Sequence, residues 1–390
     1  MIVYIKTQGA RIIKEGRHLL VKKGDATYHT LFTYKLSQIV IFGNVEITHR
    51  AMIQLMHNDI DTVFLTQNGR YLGRLASPEA RNVFLRKRQY DLLGDAAFGV
   101  RMAKAIVGGK LSNMATVLMR LKRTRNDEFC SQKAHEIQSL MEPMMRAESI
   151  DAVRGYEGRG SAIYFSAFPH GFIENMGFTR RVRRPPTDPV NSILSLLYTF
   201  LMNRVYAACR VAALDPYPGA LHSLDYGRYS LVLDLMEEFR TIIADTLTLS
   251  LFNLKILKQE DFYQEVVDEN DEPTPADASA VADLAGVAHD PIGRISSGSD
   301  NFECFDVPEQ RMDEHVVSPL APPSARYPVK LHPESFERVI EAFEKKLTTS
   351  FFYPPAERSL TYAEAIIFQA EHYRKVVEGE AAVYQPILLK

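Results

Sequence analysis

The sequence of 390 residues predicts an α+β protein, with a small β-rich N-terminal domain over residues 1–77 and a larger all-α domain over residues 78–390. Three observations support this prediction. In the first part, short runs rich in β-branched and aromatic residues lie between glycines, and an Asn-Gly pair marks a hairpin turn. In the second part, apolar residues recur at helical spacing. The tract 189–213 is nearly uncharged, which is typical of a helix in a core.

In the N-terminal part, the pattern predicts one helix among several strands. The predicted strands cover residues 1–6, 16–24, 38–43, 61–66 and 71–75. Thr48 is a suitable N-cap for a helix whose apolar residues, at 51, 52, 55 and 56, have helical spacing. Pro78 then marks a plausible end of the domain.

Beyond this proline, the chain is predicted to be helical almost throughout. The predicted helices cover residues 79–107, 110–125, 131–147, 189–213, 229–248, 333–348 and 361–378. No internal repeat is present.

Charge is distributed very unevenly along the chain. The whole sequence has 46 Lys and Arg against 48 Asp and Glu, a net charge of −2. Residues 81–125 carry eleven basic and two acidic side chains, whereas residues 265–314 carry two basic and fourteen acidic ones. Without the second segment, the net charge of the chain is +10. We therefore predict a mobile acidic insert at 264–327 and a basic remainder suited to an anionic partner.

Composition excludes several classes of protein. The hydrophobic fraction of 46% and the charged fraction of 24% are those of a globular protein. The three cysteines form no CxxC pair, so a thiolate zinc site and a disulfide framework are improbable and a reducing cytoplasm is expected. The longest apolar run, 193–202, is about half of the roughly 20 residues that a membrane helix needs. We therefore expect no association with membranes.

Three polar positions are candidates for chemistry. Glu157 lies among glycines, which allow close approach of a ligand, although it could also be a glutamate at a helix start. His222 follows a rigid Pro-Gly turn, although a lone histidine is often only a hydrogen-bonding residue. On the helix around residues 230–239, three carboxylates cluster within roughly 100° of arc. They either face a polar cavity or form a solvated stripe. These carboxylates are Asp234, Glu237 and Glu238.

Two carboxylates and an imidazole are a ligand set for Mg²⁺ or Mn²⁺, with the nitrogen slightly favouring Mn²⁺. Such a site can polarise a phosphodiester. A GxxxxGK loop, an HExxH pair, a GxSxG nucleophile and a zinc deaminase signature are all absent from the sequence.

Four motifs, in this order and spacing, resemble one known family, that of the CRISPR-associated spacer-acquisition integrases (the Cas-one family). The N-terminal hairpin with Gly-Arg-Tyr-Leu-Gly-Arg is also similar to the hairpin of that family. The motifs are Arg-Gly-Tyr-Glu-Gly at 154–158, Pro-Thr-Asp-Pro-Val-Asn at 186–191, Leu-Asp-Pro-Tyr-Pro-Gly-Ala-Leu-His at 214–222, and Leu-Asp-Leu-Met-Glu-Glu-Phe-Arg at 233–240. The resemblance covers nearly the whole chain except the acidic segment.

The resemblance implies roles for particular residues in a catalytic helical domain. Asp234 is at the position of a further essential acid, Glu238 is a weaker candidate, and Arg154 is implied to contact DNA phosphate. The implied metal ligands are Glu157, His222 and Glu237. The implied reaction is attack of a prespacer 3′-hydroxyl on a phosphodiester at a repeat boundary, or metal-dependent cleavage of DNA at the same site.

The resemblance also implies partners. DNA would follow the basic residues, among them Arg86, Arg88, Arg180 and Arg184. The N-terminal domain would form a homodimer, and two dimers would flank a small ferredoxin-like adaptation protein of the Cas-two family. Three alternatives stay open: a transposon-encoded integrase of the same family, a non-catalytic DNA-binding scaffold, and a nuclease of branched DNA in repair.

Overall fold

A computed structural model describes residues 1–75, 82–182, 186–222, 227–264 and 328–389. The predicted α+β architecture is confirmed: strands dominate the N-terminal part, and helices dominate the larger part that begins at residue 82. The predicted domain boundary after residue 77 and nearly all of the predicted acidic insert lie outside the described residues. Both stay predictions.

The N-terminal part consists of two four-stranded sheets and one helix, α1 (His49–His57). The strands are β1 (Ile2–Ile5), β2 (Ala10–Glu15), β3 (His18–Lys23), β4 (Ala26–Phe32), β5 (Gln38–Phe42), β6 (Val45–Ile47), β7 (Asp61–Leu65) and β8 (Tyr71–Leu75). One sheet has the order β1-β5-β7-β8, parallel except for the β7–β8 hairpin. The other has the order β4-β3-β2-β6, in which only β2 and β6 are parallel.

Strand β5 connects the two cores of the protein, because its side chains alternate between the two faces of its sheet. Ile39 and Ile41 point into a small core that the N-terminal strands and α1 share. Val40 and Phe42 belong instead to the large core of the helical part. Fully buried on both faces, β5 is a continuous apolar run, which is why the sequence predicts this strand clearly.

The helical part is built around α3 and α6. Its helices are α2 (Val83–Leu93), α3 (Ala96–Arg125), α4 (Glu128–Arg146), α5 (Ile150–Ala167), α6 (Pro189–Val211), α7 (Ser230–Phe239), α8 (Thr246–Asn253), α9 (Phe336–Leu347) and α10 (Tyr362–Glu378). Side-chain oxygens of Asp95, Asp127, Ser149 and Asp188 cap the first turns of α3, α4, α5 and α6.

The predicted helices 79–107 and 110–125 are wrong in where the chain breaks. The break lies at Asp95, which caps α3, and not at the Gly108-Gly109 pair. These glycines stay helical because tertiary packing uses them: a Cβ on Gly109 would meet Cβ of Pro386 at 2.5 Å. Two adjacent glycines weaken a helix locally, but here they allow the C-terminal segment around Pro386 to pack closely against α3.

The larger part also contains short strands, in contrast to the all-α domain that the sequence predicted. Strands β9 (Phe262–Gln264) and β10 (Val329–Leu331) pair antiparallel, and β11 (Ser350–Tyr353) pairs with β12 (Arg358–Thr361). The β9–β10 pair depends on residues more than sixty positions apart, so no local pattern could predict it.

Helix α6 is the one helix of the described residues that is long and apolar enough to cross a membrane by length and composition. However, 67% of its most apolar window is buried inside the protein, which is typical of the core helix of a globular fold. Its neighbours include α7 and α10.

Candidate active site

Side chains from three helices and one loop converge at a buried polar cluster. Lys110 comes from α3, Glu157 from α5 and Glu237 from α7, while His222 lies between α6 and α7. The Lys110 ammonium forms ion pairs with both glutamates, at 2.7 Å from Oε2 of Glu237. Nε2 of His222 lies 3.9 Å from Oε1 of Glu237. The three residues that the sequence suggested as metal ligands therefore belong to one cluster, in which Lys110 connects the two glutamates and Glu237 lies next to His222.

His222 is held in one orientation by Asp234 on α7. Its Nδ1 lies 2.6 Å from Oδ1 of Asp234. Because the carboxylate also accepts backbone N–H bonds, we assign the ring proton to Nδ1. In the neutral imidazole, Nε2 then carries the lone pair on the side of Glu237, which is the tautomer that a metal ligand needs.

Asp234 also shapes the loop that presents His222. Its two carboxylate oxygens accept the backbone N–H groups of Ala220 at 2.6 Å, Leu221 at 2.9 Å and His222 at 2.9 Å. Gly219, just before them, approaches the start of α7 so closely that a Cβ would lie 2.6 Å from the backbone carbon of Ser230. Asp234 therefore fixes both the loop backbone and the imidazole.

Glu157 lies in the interior of α5, so the interpretation as a glutamate at a helix start is wrong. One turn later, Ser161 donates a hydrogen bond to its Oε1 at 2.9 Å. Gly160 allows α5 to pack against Leu111 of α3, because a side chain there would overlap that leucine. The glycines around Glu157 thus serve in part to bring α5 next to Lys110.

Glu237 is almost completely buried, with 3% of its side chain exposed. Burial alone would raise its pKa, but Arg240 and Lys110 outweigh burial and lower the pKa to about 2. Arg240 donates from Nε to Oε1 of Glu237 at 2.9 Å. The carboxylate is therefore ionised across the physiological range.

Lys110 and Arg240 are the site residues that sequence reasoning missed. In the sequence, Lys110 is one of the eleven basic residues of segment 81–125, and Arg240 is the last residue of a motif. Burial by itself would lower the pKa of Lys110, but the Glu157 and Glu237 carboxylates hold it above its ordinary value. For Lys110 the sequence does contain a signal, because this lysine is the single charged residue of the helical stretch 105–119.

The donor set fits a divalent cation in its chemistry, with two carboxylates and one unprotonated imidazole. In an octahedral site with bonds of about 2.1 Å, two ligands lie about 3 Å apart when adjacent and about 4.2 Å when opposite. The spacing of His222 and Glu237 is in that range. As the side chains stand, no group of three His, Cys, Asp and Glu residues in the described parts of the chain forms a metal site. The Lys110 ammonium marks the point where a positive charge is stabilised.

Glu238, the weaker candidate, faces away from this cluster. It is buried against the C-terminal segment, where it accepts hydrogen bonds from the Tyr384 hydroxyl at 2.5 Å and from Gln369 Nε2 at 3.0 Å. Burial raises its pKa to about 7. All ten residues of α7 are buried, so the interpretation as a solvated acidic stripe is wrong. The adjacent carboxylates of α7 therefore have different partners: Glu237 pairs with Lys110, whereas Glu238 contacts the C-terminal segment.

A turn of π-helix, Arg240–Asp245, directly follows α7. The Arg240 guanidinium carbon lies 4.7 Å from the centre of the Tyr198 ring, and the Tyr198 hydroxyl donates to Oδ1 of Asp245 at 2.7 Å. Such π turns often occur next to functional sites. Here the turn places Arg240 against Glu237 and buries Asp245 behind it.

Asp245 gives a testable pH dependence. Burial raises its pKa from 3.8 to about 6, although Tyr198 and Arg240 act to lower it. Since the folded state holds this proton more tightly, the contribution to stability is complete below pH 3.8 and is lost as the pH rises to about 6. The loss is about 3 kcal/mol. We expect Asp245→Asn to flatten the pH dependence of the unfolding free energy, measured in urea between about pH 4 and pH 7. An unchanged slope would contradict this assignment.

The remaining suggested residues lie outside the cluster centre. Arg154 donates from Nε to the carbonyl of Leu221 at 2.7 Å and pairs with Asp151 at 2.6 Å, so it supports the His222 loop. Among the suggested DNA contacts, Arg86 pairs with the buried Asp215 at 3.0 Å. Arg88 and Arg180 are exposed, and Arg184 lies outside the described residues.

Solved structures share this fold across the full chain. A CAS1 protein from Thermotoga maritima matches with a TM-score of 0.73 at 18% identity, covering 98% of this chain and 99% of that one. A casposase bound to integration product matches with a TM-score of 0.73 at 18% identity, covering 98% of this chain and 92% of that one. By its architecture, the protein is therefore of the Cas1-like fold class, which CRISPR proteins and casposases share.

Sequence comparison identifies the family within that class. The family model described as CRISPR associated protein Cas1 matches residues 3–268. An endonuclease Cas1 of Rhodospirillum rubrum is 34% identical over 67% of this chain and 78% of its own length. One of Thermus thermophilus is 35% identical over 67% of this chain and 77% of its own length. The chain belongs to the Cas1 family, as the resemblance had indicated.

Proposed function

We propose that this protein is a divalent-metal-dependent DNA endonuclease and integrase of CRISPR adaptation. It joins free 3′-hydroxyl ends of a prespacer to repeat boundaries by transesterification. The observation that carries the proposal is the convergence of Glu157, His222 and Glu237 from three chain segments, with His222 oriented by Asp234. The relatives named endonucleases, at 34–35% identity, support a nuclease of this family.

In this proposal, the chain supplies a preorganised anionic pocket. Glu157, Glu237 and Nε2 of His222 would hold Mg²⁺ or Mn²⁺, which when bound would polarise the scissile phosphodiester. Asp234 keeps the proton of His222 on Nδ1. Arg240 keeps Glu237 ionised and in place.

The reaction needs no external energy source. The 3′-oxygen of the prespacer forms a new bond to phosphorus as the phosphorus bond to the 3′-oxygen of the DNA flanking the repeat breaks, so the number of phosphodiester bonds is conserved. The proton of the attacking hydroxyl leaves and the departing oxygen gains one. With water as the nucleophile, the same site hydrolyses DNA. Arg154, beside the His222 loop, would contact a DNA phosphate, and preorganised cations of this kind stabilise the transition state.

The proposed partners are DNA, a second copy of this chain and a Cas2 protein. A Cas6-RT-Cas1–Cas2 complex contains a chain whose fold matches this one with a TM-score of 0.75 at 20% identity, covering all of this chain and 36% of that one. We propose that the N-terminal sheets form the homodimer and that exposed Arg88 and Arg180 contact the DNA backbone. A cytoplasmic location is expected with these partners.

The decisive experiment compares the wild type with Glu157→Gln. The substrate is a labelled DNA with a free 3′-hydroxyl and a plasmid carrying a repeat, with Mn²⁺, Mg²⁺ or chelator and with or without a Cas2 protein. Because the variant removes one anionic ligand while keeping the side-chain shape, we expect integration and cleavage to fall by about 10²-fold or more. Glu136→Gln, in a surface ion pair with Lys133, is the matched control.

Unchanged integration by Glu157→Gln would contradict catalysis at this cluster and favour the scaffold alternative, in which the acidic helix is structural. Cleavage of branched DNA without integration would favour the repair nuclease. The transposon-encoded alternative differs in the DNA ends it joins, so the same assay with transposon-type ends in place of prespacers separates it.

A further inference from the structure

The Lys110 ammonium is the centre of the buried cluster and has no role in the reaction proposed above. It pairs with Glu157 of α5 and with Glu237 of α7, so one cation connects three helices. Only 8% of the Lys110 side chain is exposed. Two ionised carboxylates in such surroundings require a compensating positive charge.

The position of Lys110 is set by the way α3 is anchored. One turn further along α3, Asn113 donates from Nδ2 to the carbonyls of Glu238 at 3.0 Å and Ile387 at 2.9 Å. The backbone N–H of Leu389 donates to Oδ1 of Asn113 at 2.8 Å. The helix backbone is therefore fixed, while the four-carbon stem of the lysine allows its ammonium to move.

The ammonium and a divalent ion would require the same carboxylate oxygens. A cation coordinated by both Glu157 and Glu237 would lie between them, where Nζ of Lys110 now lies. Two positive charges at such a distance in a buried site repel each other strongly. Both cannot occupy this point together.

We propose that Lys110 is the resident counter-cation of the metal-free site and that a divalent ion binds by displacing its ammonium from between Glu157 and Glu237. This inference rests on the proposed metal site. Lys110 is thus a positioning residue: it keeps two carboxylates together before the metal binds, and it weakens the affinity of the site for the metal. The metal-free fold gains stability from the same contacts.

The first test measures Mn²⁺ binding at neutral pH by the electron paramagnetic resonance signal of free Mn²⁺, since both carboxylates are ionised there. Full-length wild type is compared with Lys110→Met, which keeps the length of the side chain and removes its charge. We expect Lys110→Met to bind Mn²⁺ at least about tenfold more tightly. Lys133→Met, which removes a surface ion pair with Glu136, is the matched control and should bind as the wild type does.

Thermal unfolding gives a second readout that does not depend on activity. Without metal, Lys110→Met should unfold at a lower temperature than the wild type, because Glu157 loses its cationic partner and the buried Glu237 keeps only Arg240. Saturating Mn²⁺ should then raise its unfolding temperature by more than it raises that of the wild type. Equal Mn²⁺ affinity of wild type and Lys110→Met, or equal stabilisation by Mn²⁺, would overturn the proposal.

A crystal structure of the wild type with Mn²⁺, located by anomalous scattering, tests the displacement even if Lys110→Met does not fold. We expect Mn²⁺ between the two carboxylates and the ammonium away from at least one of them. Mn²⁺ bound while Lys110 still bridges both would overturn the proposal. Glu157→Gln separates the two hypotheses: if it binds Mn²⁺ as the wild type does, the metal site itself is wrong. If only Lys110→Met is without effect, the metal site stands and the displacement is wrong.

Discussion

Asp234→Asn is expected to destabilise the fold and, where its amide turns the NH₂ group towards His222, to reduce cleavage and integration by about 10³-fold or more. Both oxygens of Asp234 accept hydrogen bonds, from three backbone N–H groups and from Nδ1 of His222. An asparagine has only one oxygen for these four donors. Whichever way its amide turns, its NH₂ group faces two N–H groups.

The two consequences have separate causes. If the NH₂ group faces His222, the ring proton moves from Nδ1 to Nε2, and the nitrogen next to Glu237 can no longer act as a ligand. Reversing a tautomer in the comparable Asp-to-Asn change of serine proteases lowers turnover by about 10⁴-fold. If the NH₂ group faces Ala220 and Leu221, two buried donors lose their acceptor, at a cost of about 2 to 6 kcal/mol.

A DNA cleavage assay with Mn²⁺ and urea unfolding at neutral pH measure the two effects on the same preparations. Asp25→Asn, in an exposed turn, makes the same chemical change and should leave both readouts at wild-type values. Activity within tenfold of the wild type together with wild-type stability would contradict the hydrogen bonds assigned to Asp234.

Gly219→Ala is expected to destabilise the protein by about 3 kcal/mol and to displace His222. The added Cβ would lie 2.6 Å from the backbone carbon of Ser230, 2.8 Å from its oxygen and 2.9 Å from Oδ2 of Asp234. Since two of these atoms belong to the backbone at the start of α7, no rotamer change relieves the overlap. Inserting one methyl group into well-packed surroundings costs about 1 to 3 kcal/mol, and rigid neighbours place this variant at the upper end.

Gly155→Ala is the matched control for this variant. Gly155 lies within α5, and a Cβ there meets nothing within 4 Å. Alanine is a better helix former than glycine, so we expect this change to stabilise the fold by about 0.5 to 1 kcal/mol. Urea unfolding compares the two variants directly. A stable Gly219→Ala protein with intact activity would show that the loop can move away from α7.

Much of the fold could be predicted from local patterns. Hydrophobic periodicity and turn residues indicate the buried strand β5, the hairpin β7–β8 and the long apolar helix α6. The break between α2 and α3 was misplaced because a glycine pair looks like a helix end. Whether such a pair interrupts a helix depends on the residues that pack against it, and Pro386 is far away in sequence.

The candidate site also has features that the sequence could suggest and features that only the structure shows. Glu157, His222, Asp234 and Glu237 could be suggested from residue type, from the helical arc and from the resemblance to a family, which the comparisons confirm. The sequence could not show that Glu237 and Glu238 lie in different surroundings. On a fully buried helix, the environment of each side chain is set by the chain segments that pack against it. Glu237 meets Lys110 and Arg240, and Glu238 meets the C-terminal segment.

The sequence by itself determined the α+β order of the chain and its family, and it suggested Glu157, His222, Asp234 and Glu237 as candidate site residues. Only the tertiary structure decided which charges neutralise them. Lys110 is forty-seven residues from Glu157 along the chain, yet their charged groups are in contact. The charge count of a segment does not show which side chains are buried. In the fold, Lys110 of the basic segment 81–125 is buried against Glu157 and Glu237. Burial makes these contacts strong, because water no longer screens them.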